Sequence, residues 1–219
     1  ETKITRGRPA LISRDKVAMA ALEIGLQNIT VAGVAKHLGV DHSSLYGHVK
    51  GRDDLIKVAA EVAIRDLDWQ SDPADWRTYL TVMATAIWRM CRKTPGLAAV
   101  FQTPDVMPQS GMNAFCTAVL ALTSVGFDED DAILIVDSVV DMTADSAAMC
   151  DQLDLQQGEP PVFAVWAAFG AQDPDRGRIM QKTAALVRGD TDAWWMSRLN
   201  LLLDGIATRA PSQRPVGAQ

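Results

Sequence analysis

The sequence predicts an all-α protein, and three observations carry that reading. Apolar residues recur at helical spacing through most of the 219 residues. No stretch alternates apolar and polar positions for long enough to form a half-buried strand, and Gly and Pro fall between the periodic segments. With 48% hydrophobic and 22% charged residues, the composition is that of an ordinary globular chain rather than a disordered or fibrous one. The longest aliphatic runs, such as Ala132 to Val136, fall far short of the ~20 residues a membrane span needs. No apolar leader opens the chain, so a cytoplasmic location and no membrane partner are expected. Cys91, Cys116 and Cys150 sit in helical patterns without Cys or His at metal-ligand spacing. They are expected to be core thiols in a reducing compartment, with no metal and no cofactor.

Taken in order, Glu1 to Pro9 lacks apolar periodicity and carries Arg6-Gly7-Arg8-Pro9. A first helix is expected after the N-cap Ser13, running to Ile24 with Val17, Ala21 and Ile24 inward and Gly25 as its stop. From Thr30 to Lys50 the spacing describes a helix-turn-helix. Val34, Ala35 and Leu38 form one stripe, and Gly39 ends the helix by tolerating φ > 0. Asp41 opens a short second helix as its N-cap, and Leu45 and Val49 anchor that helix inward. A fourth helix should begin near Arg52, with Asp53 and Asp54 at its positive end, and reach about Trp69 with Leu55, Ala59 and Val62 on one face.

Gln70 to Pro73 breaks the chain. Helices then follow over 75–93, 97–101, 111–125, 128–151, 162–170, 174–187 and 192–209. The resulting organisation is a flexible basic arm (1–12), a helix-turn-helix domain (13–56), a larger helical domain (57–209) and a flexible tail (210–219).

The turn glycine, the anchor Leu45, a polar outward face and the nearby Lys50 and Arg52 point to a recognition helix for the DNA major groove. An ordinary helical hairpin would need only the glycine connection. Net charge is −6 overall, yet residues 1–57 carry net +3 and the remainder −9, a basic head on an acidic body. His42, Ser43 and Ser44 are the candidate base readers, with Thr30 beside them at the start of the positioning helix. Arg6 and Arg8 suit a narrow minor groove or a phosphate, and a plain tail is the competing reading. Enzymatic chemistry is not expected: all three histidines, His37, His42 and His48, lie in the head, and no nucleophile-base constellation or phosphate loop is visible.

Thr30 through Leu55 also resembles the DNA-binding domain of the TetR family of bacterial transcriptional regulators. The likeness rests on Leu38-Gly39-Val40, on Ser44-Leu45-Tyr46-Gly47-His48-Val49 and on Lys50-Gly51-Arg52-Asp53-Asp54-Leu55. It covers about a quarter of the chain, from Arg6 to Leu55. The resemblance implies phosphate contacts at Tyr46, His48, Lys50 and Arg52, although Tyr46 and His48 could instead be satisfied inside the small domain. Ala32 and Gly47 replace an arginine and a tryptophan of the tetracycline repressor, which implies a different operator.

The resemblance also implies a ligand pocket in the helical body. Its candidate linings are Met83, Trp88, Met112, Phe115, Met142 and Trp166, while the ordinary reading of such residues is core. Asp137, Asp141 and Asp145 share one helix face, either solvated, lining a cationic ligand's site, or paired across a dimer. Ala144, Ala147 and Ala148, with Gly205 and Ala207, would allow close helix crossings. The family's late helices form a four-helix dimer interface. The expected function is a homodimeric, ligand-responsive DNA-binding regulator, a repressor released from palindromic operator DNA by a small-molecule effector. The alternatives are a constitutive DNA binder and an all-helical interaction module that binds no DNA.

Overall fold

A computed structural model describes residues 12–154 and 160–211. Among the described residues the chain forms ten α-helices, two short 3-10 segments and no strand, as the absence of period-two patterning predicts. The basic arm with Arg6 and Arg8, residues 155–159 and residues 212–219 lie outside the described residues.

Helix α1 (Arg14–Ile24) starts where expected: the Ser13 side chain accepts from the Lys16 amide at 3.2 Å, and Gly25 stops the helix at φ 87°. Its inward face differs from the expected stripe. Ile24 is 43% exposed, and the buried residues are Val17, Ala18, Ala20 and Ala21. That small-residue face lies against α4 (Arg52–Arg65), whose own Ala59 and Ala60 are fully buried. The helix pair closes on alanines, and Ile24 falls past the contact. Helix α2 (Val31–Leu38) and α3 (His42–Leu45) complete the head, with Leu45, Val49 and Leu55 buried at its centre.

Helix α4 ends at Arg65 rather than near Trp69. Asp66 and Asp68 place negative charge at the negative end of the helix dipole, which disfavours another turn. Leu67 and Trp69 then leave the helix to pack against the body core, where Trp69 Nε1 donates to Tyr79 Oη at 3.4 Å. Asp75 caps α5 (Trp76–Lys93), accepting from both the amide and the hydroxyl of Thr78. Those two donors hold its carboxyl below the usual value.

The 3-10 segments Leu97–Val100 and Pro104–Val106 precede α6 (Gln109–Ser124) and α7 (Glu129–Asp154). Three more follow: α8 (Pro161–Gly170), α9 (Pro174–Arg188) and α10 (Thr191–Ala207). The body core joins α5, α6, α7 and α10 through residues such as Leu80, Leu122, Val136 and Leu203. Helices α8 and α9 form a hairpin on its flank, crossing so closely that a Cβ on Gly170 would lie 3.0 Å from the Gly177 Cα. Cys91 and Cys150 are buried core thiols, and burial pushes the Cys91 thiol up to about 12. Cys116 is exposed instead, because α6 buries only Ala118, Val119 and Leu122.

Head and body meet at a short joint. The Leu26 amide donates to the Pro95 carbonyl at 2.7 Å. Gly96 follows at φ 86°, and a Cβ there would stand 2.4 Å from the Gln27 nitrogen. From α7, the half-exposed Arg92's partner Asp151, itself 5% exposed, accepts the Gly96 amide at 2.8 Å and Arg92 Nη1 at 3.2 Å. Burial raises the Asp151 carboxyl's pKa, while the Gly96 amide and Arg92 pull it down. Leu97 and Val100, which follow the joint, are packed into the head's apolar cluster.

Candidate nucleic-acid interface

The exposed end of the head is built by α2, its glycine turn and α3. Thr30 caps α2 by accepting from the Gly33 amide at 3.0 Å. Gly39 adopts the left-handed conformation at φ 65°, and the Val40 amide returns to the Ala35 carbonyl at 3.0 Å, so the chain reverses within two residues. Asp41, expected to cap α3 with its side chain, makes no such bond. The four-residue α3 is held from its other end, where the His48 and Val49 amides both donate to the Leu45 carbonyl.

With Leu45 and Val49 inward, His42, Ser43, Ser44 and Gly47 are left exposed. Tyr46 is also exposed, at 54%, which removes the core reading for it, and its ring stands edge-on to His42 at 5.0 Å. His48 is half-buried, and Lys50 is exposed with its amide bound to Asp54.

Arg52 is placed differently from a free phosphate contact. Its Nε donates to the Ile29 carbonyl at 3.2 Å and its Nη2 to the Gln27 carbonyl at 3.1 Å, so the guanidinium braces the α1–α2 loop against the start of α4. Two cations overlooked in the sequence stand nearby. Arg14, paired with Asp54 at 3.1 Å, and Lys57 line a groove of about 490 Å³ with Tyr46, His48 and Lys50, and the carboxylates of Asp53, Asp54 and Asp105 share its wall. Their signal was position on the basic head alone, since neither belongs to the helix-turn-helix motif.

The six side chains expected around a ligand are not gathered into one cavity. Met83 and Trp88 are 2% and 3% exposed in the body core. Trp88 lies stacked on Trp195 at 4.8 Å with its Nε1 donating to Asp192 at 2.7 Å, so its surface is consumed by packing. Phe115 and Met142 pack against the same core. Met112 is 49% exposed on α6, and Trp166 stands edge-on to Phe163 in the groove of the α8–α9 hairpin.

Asp137, Asp141 and Asp145 are all exposed in the single chain, with Arg198 3.9 Å from Asp145. Partial burial, then Asp137 and Asp145, raise the Asp141 carboxyl. Ala144 and Ala147 are fully buried within the chain's own core. A separate groove of about 440 Å³ runs between α7 and α10, with Leu134 57% and Leu201 74% exposed and open space where a Cβ on Gly205 would stand. Among the described residues, no cluster of His, Cys, Asp and Glu could hold a metal ion, and no helix is long and apolar enough to cross a membrane.

Comparison with known proteins places this geometry. The HTH-type transcriptional repressor DrrR1 of Streptomyces coeruleorubidus is 27% identical over 145 residues, which is 62% of this chain and 54% of that protein. An HTH-type transcriptional regulator of Saccharopolyspora erythraea is 28% identical over 140 residues, 60% of this chain and 57% of that one. The matches thus span little more than half the length of these relatives. Among solved structures, apo ActR of Streptomyces coelicolor shares the fold at a TM-score of 0.72 and 18% identity, over 93% of this chain and 98% of that one. A TetR variant of Acinetobacter baumannii in complex with minocycline does so at 0.66 and 19%, over 92% and 99%. Residues 70–210 match the family described as "Tetracyclin repressor-like, C-terminal domain", and the chain therefore belongs to the tetracycline-repressor-like family.

Proposed function

We propose that the protein is a homodimeric, ligand-responsive transcriptional repressor working in the cytoplasm. In this reading residues 13–56 form the DNA-binding head and 57–209 the effector-binding and dimerisation body. The observation that carries it is the exposed row His42, Ser43 and Ser44 on α3, standing clear of a head whose apolar anchors are buried. Such a helix enters the major groove with its first residues on base edges, flanked by backbone contacts. Tyr46, His48 and Lys50 flank it here, with Arg14 and Lys57 beside them, and Thr30 stands near the bases. Arg6 and Arg8 would follow the minor groove.

One head per chain suits a two-fold dimer on a palindromic operator with half-sites about 34–36 Å apart. The α7–α10 groove, with Leu134 and Leu201 exposed, is the surface that suits self-association. An effector is supported by relatives: ActR is known in complex with actinorhodin, and the Acinetobacter protein with minocycline. The effector would act by binding two head arrangements unequally, a coupling of about 1–3 kcal/mol.

The test is titration of the protein with DNA from upstream of its own gene, repeated over a range of salt. Ser44→Ala is expected to weaken specific binding by about 1–3 kcal/mol while binding to unrelated DNA holds. A specific-to-non-specific ratio unchanged by that substitution removes Ser44 from base reading. A chain that retards no duplex at low salt is an interaction module instead.

A further inference from the structure

Beside the head–body joint lies a cavity of about 250 Å³. The α1–α2 loop contributes Gln27 to its wall, α4 contributes Asp53 and Ile56, the 3-10 segments contribute Val100 and Val106, and α7 contributes Asp151. Two features separate it from a packing fault. Gln27 Oε1 is enclosed and has no hydrogen-bond partner among the described residues. The side chain of Asp53, at the rim, takes part in no ion pair among them.

The enclosed polar atoms of this wall are acceptors, Gln27 Oε1 and the Asp151 carboxylate, whereas Gln102 and Gln152 stand exposed at its edge and the Thr103 hydroxyl already donates to the Ala99 carbonyl at 2.9 Å. An amide oxygen and two carboxylates can only accept, and each Asp151 oxygen holds one donor and retains accepting capacity. The wall's strongest donor, Arg52, has Nε and Nη2 committed to carbonyls of the α1–α2 loop. Ile56, Val100 and Val106 supply an apolar side. The space suits a ligand with a few heavy atoms in which N–H donors sit on a short apolar body.

We propose that this cavity binds such a small N–H-donor ligand, a primary amide or ammonium compound, and that the head reads its occupation. The second part rests on the regulator reading above. The linkage is short: Gln27 offers its carbonyl to Arg52 at the start of α4, and its backbone nitrogen is the atom nearest the Cβ position of Gly96. Gly96 in turn is held by Asp151 of α7. A ligand donating to Gln27 therefore bears on the α1–α2 loop, and α2 positions α3. The site is distinct from the body interior, where Met83 and Trp88 are packed away.

Three probes with four-carbon chains test this on the ¹⁵N-labelled full chain at matched ionic strength: butyramide, butylammonium and butyrate. Saturable shifts at the Gln27 and Gly96 amides are expected with butyramide and butylammonium, with butyrate weaker by about five-fold or more. Ala99, an exposed residue lining the cavity, allows an Ala99→Leu variant that fills the space without touching the core. This variant should fold, bind duplex DNA and lose the probe response. Gln27→Met removes the acceptor at constant length and should weaken butyramide by about five-fold. Saturating butyramide should also lower duplex affinity by about five-fold in the parent chain and not in Ala99→Leu.

Shifts that never saturate, that persist equally in Ala99→Leu, or that are strongest with butyrate overturn the site. Saturable binding that leaves duplex affinity unchanged overturns the coupling to the head. The two readings fail separately: a chain that binds butyramide but no duplex loses the regulator reading and keeps the cavity's ligand. A chain that binds duplex but no probe loses only this inference.

Discussion

In the head, the residues that fill the interior are Val, Leu, Ile and Ala, and the polar side chains of α3 are left to solvent. In the body the large, chemically distinctive residues go the other way. Trp88 is stacked on Trp195 and bonded to Asp192, and Met83 is enclosed with it. The difference teaches where functional residues can be recognised. A surface that reads DNA consists of what a small core does not use, so it shows as polar residues at fixed offsets from apolar anchors. A ligand site in a bundle is space that packing fails to fill, and residue types alone do not say where that space is.

Four substitutions test the contrast. Trp88→Ala carries the largest expected effect, a loss of about 3–5 kcal/mol in chemical denaturation, because it removes a stacked core ring. A loss near zero would restore Trp88 to the wall of an open pocket. Gly96→Ala should cost about 2–4 kcal/mol, combining a left-handed backbone with a Cβ pressed against the head. Since the head and body are joined there, the same variant should separate their unfolding into two transitions; a single undiminished transition would show that the joint does not couple them.

Arg52→Ala should lower stability by about 1–3 kcal/mol through the two loop carbonyls it leaves unpaired. The dependence of DNA affinity on salt should stay as in the parent. A fall in that slope of about one unit would instead return Arg52 to the phosphate contacts.

Asp141→Asn is the smallest. Its carboxyl is raised above the ordinary value of 3.8 by partial burial and by Asp137 and Asp145. A raised carboxyl favours the folded state while protonated, and that favour is lost as pH rises through its folded pKa. The asparagine variant should therefore be more stable at neutral pH by about 0.2–0.5 kcal/mol, as for a relieved like-charge helix pair. The gain should vanish in melting curves taken below pH 3.8. A gain that persists in acid would have another origin.

Much of the fold was legible because local chemistry and tertiary structure agree. Ser13, Thr30 and Asp75 cap helices with their side chains, and Gly25 and Gly39 end helices at positive φ. Where the reading slipped, an apolar or charged residue answered to a partner remote in sequence. Leu67 and Trp69 extend the helical pattern of α4, yet they turn away to the body core. Arg52 sits among motif residues as a phosphate contact would, and its donors reach carbonyls 23 and 25 residues away. Cys116 and Ile24 share the spacing of buried neighbours and face solvent.

By itself the sequence determined the all-helical class, the breaks between helices and the α2–Gly39–α3 unit. Each follows from short-range rules: helical periodicity, side-chain capping, and glycine's access to left-handed backbone. Only the tertiary structure decided what the interior residues do, because that depends on which surfaces meet. It set Gly96 against Gln27, drew Arg52 onto the loop, closed Trp88 into the core and left a cavity where four segments of the chain fail to fill space.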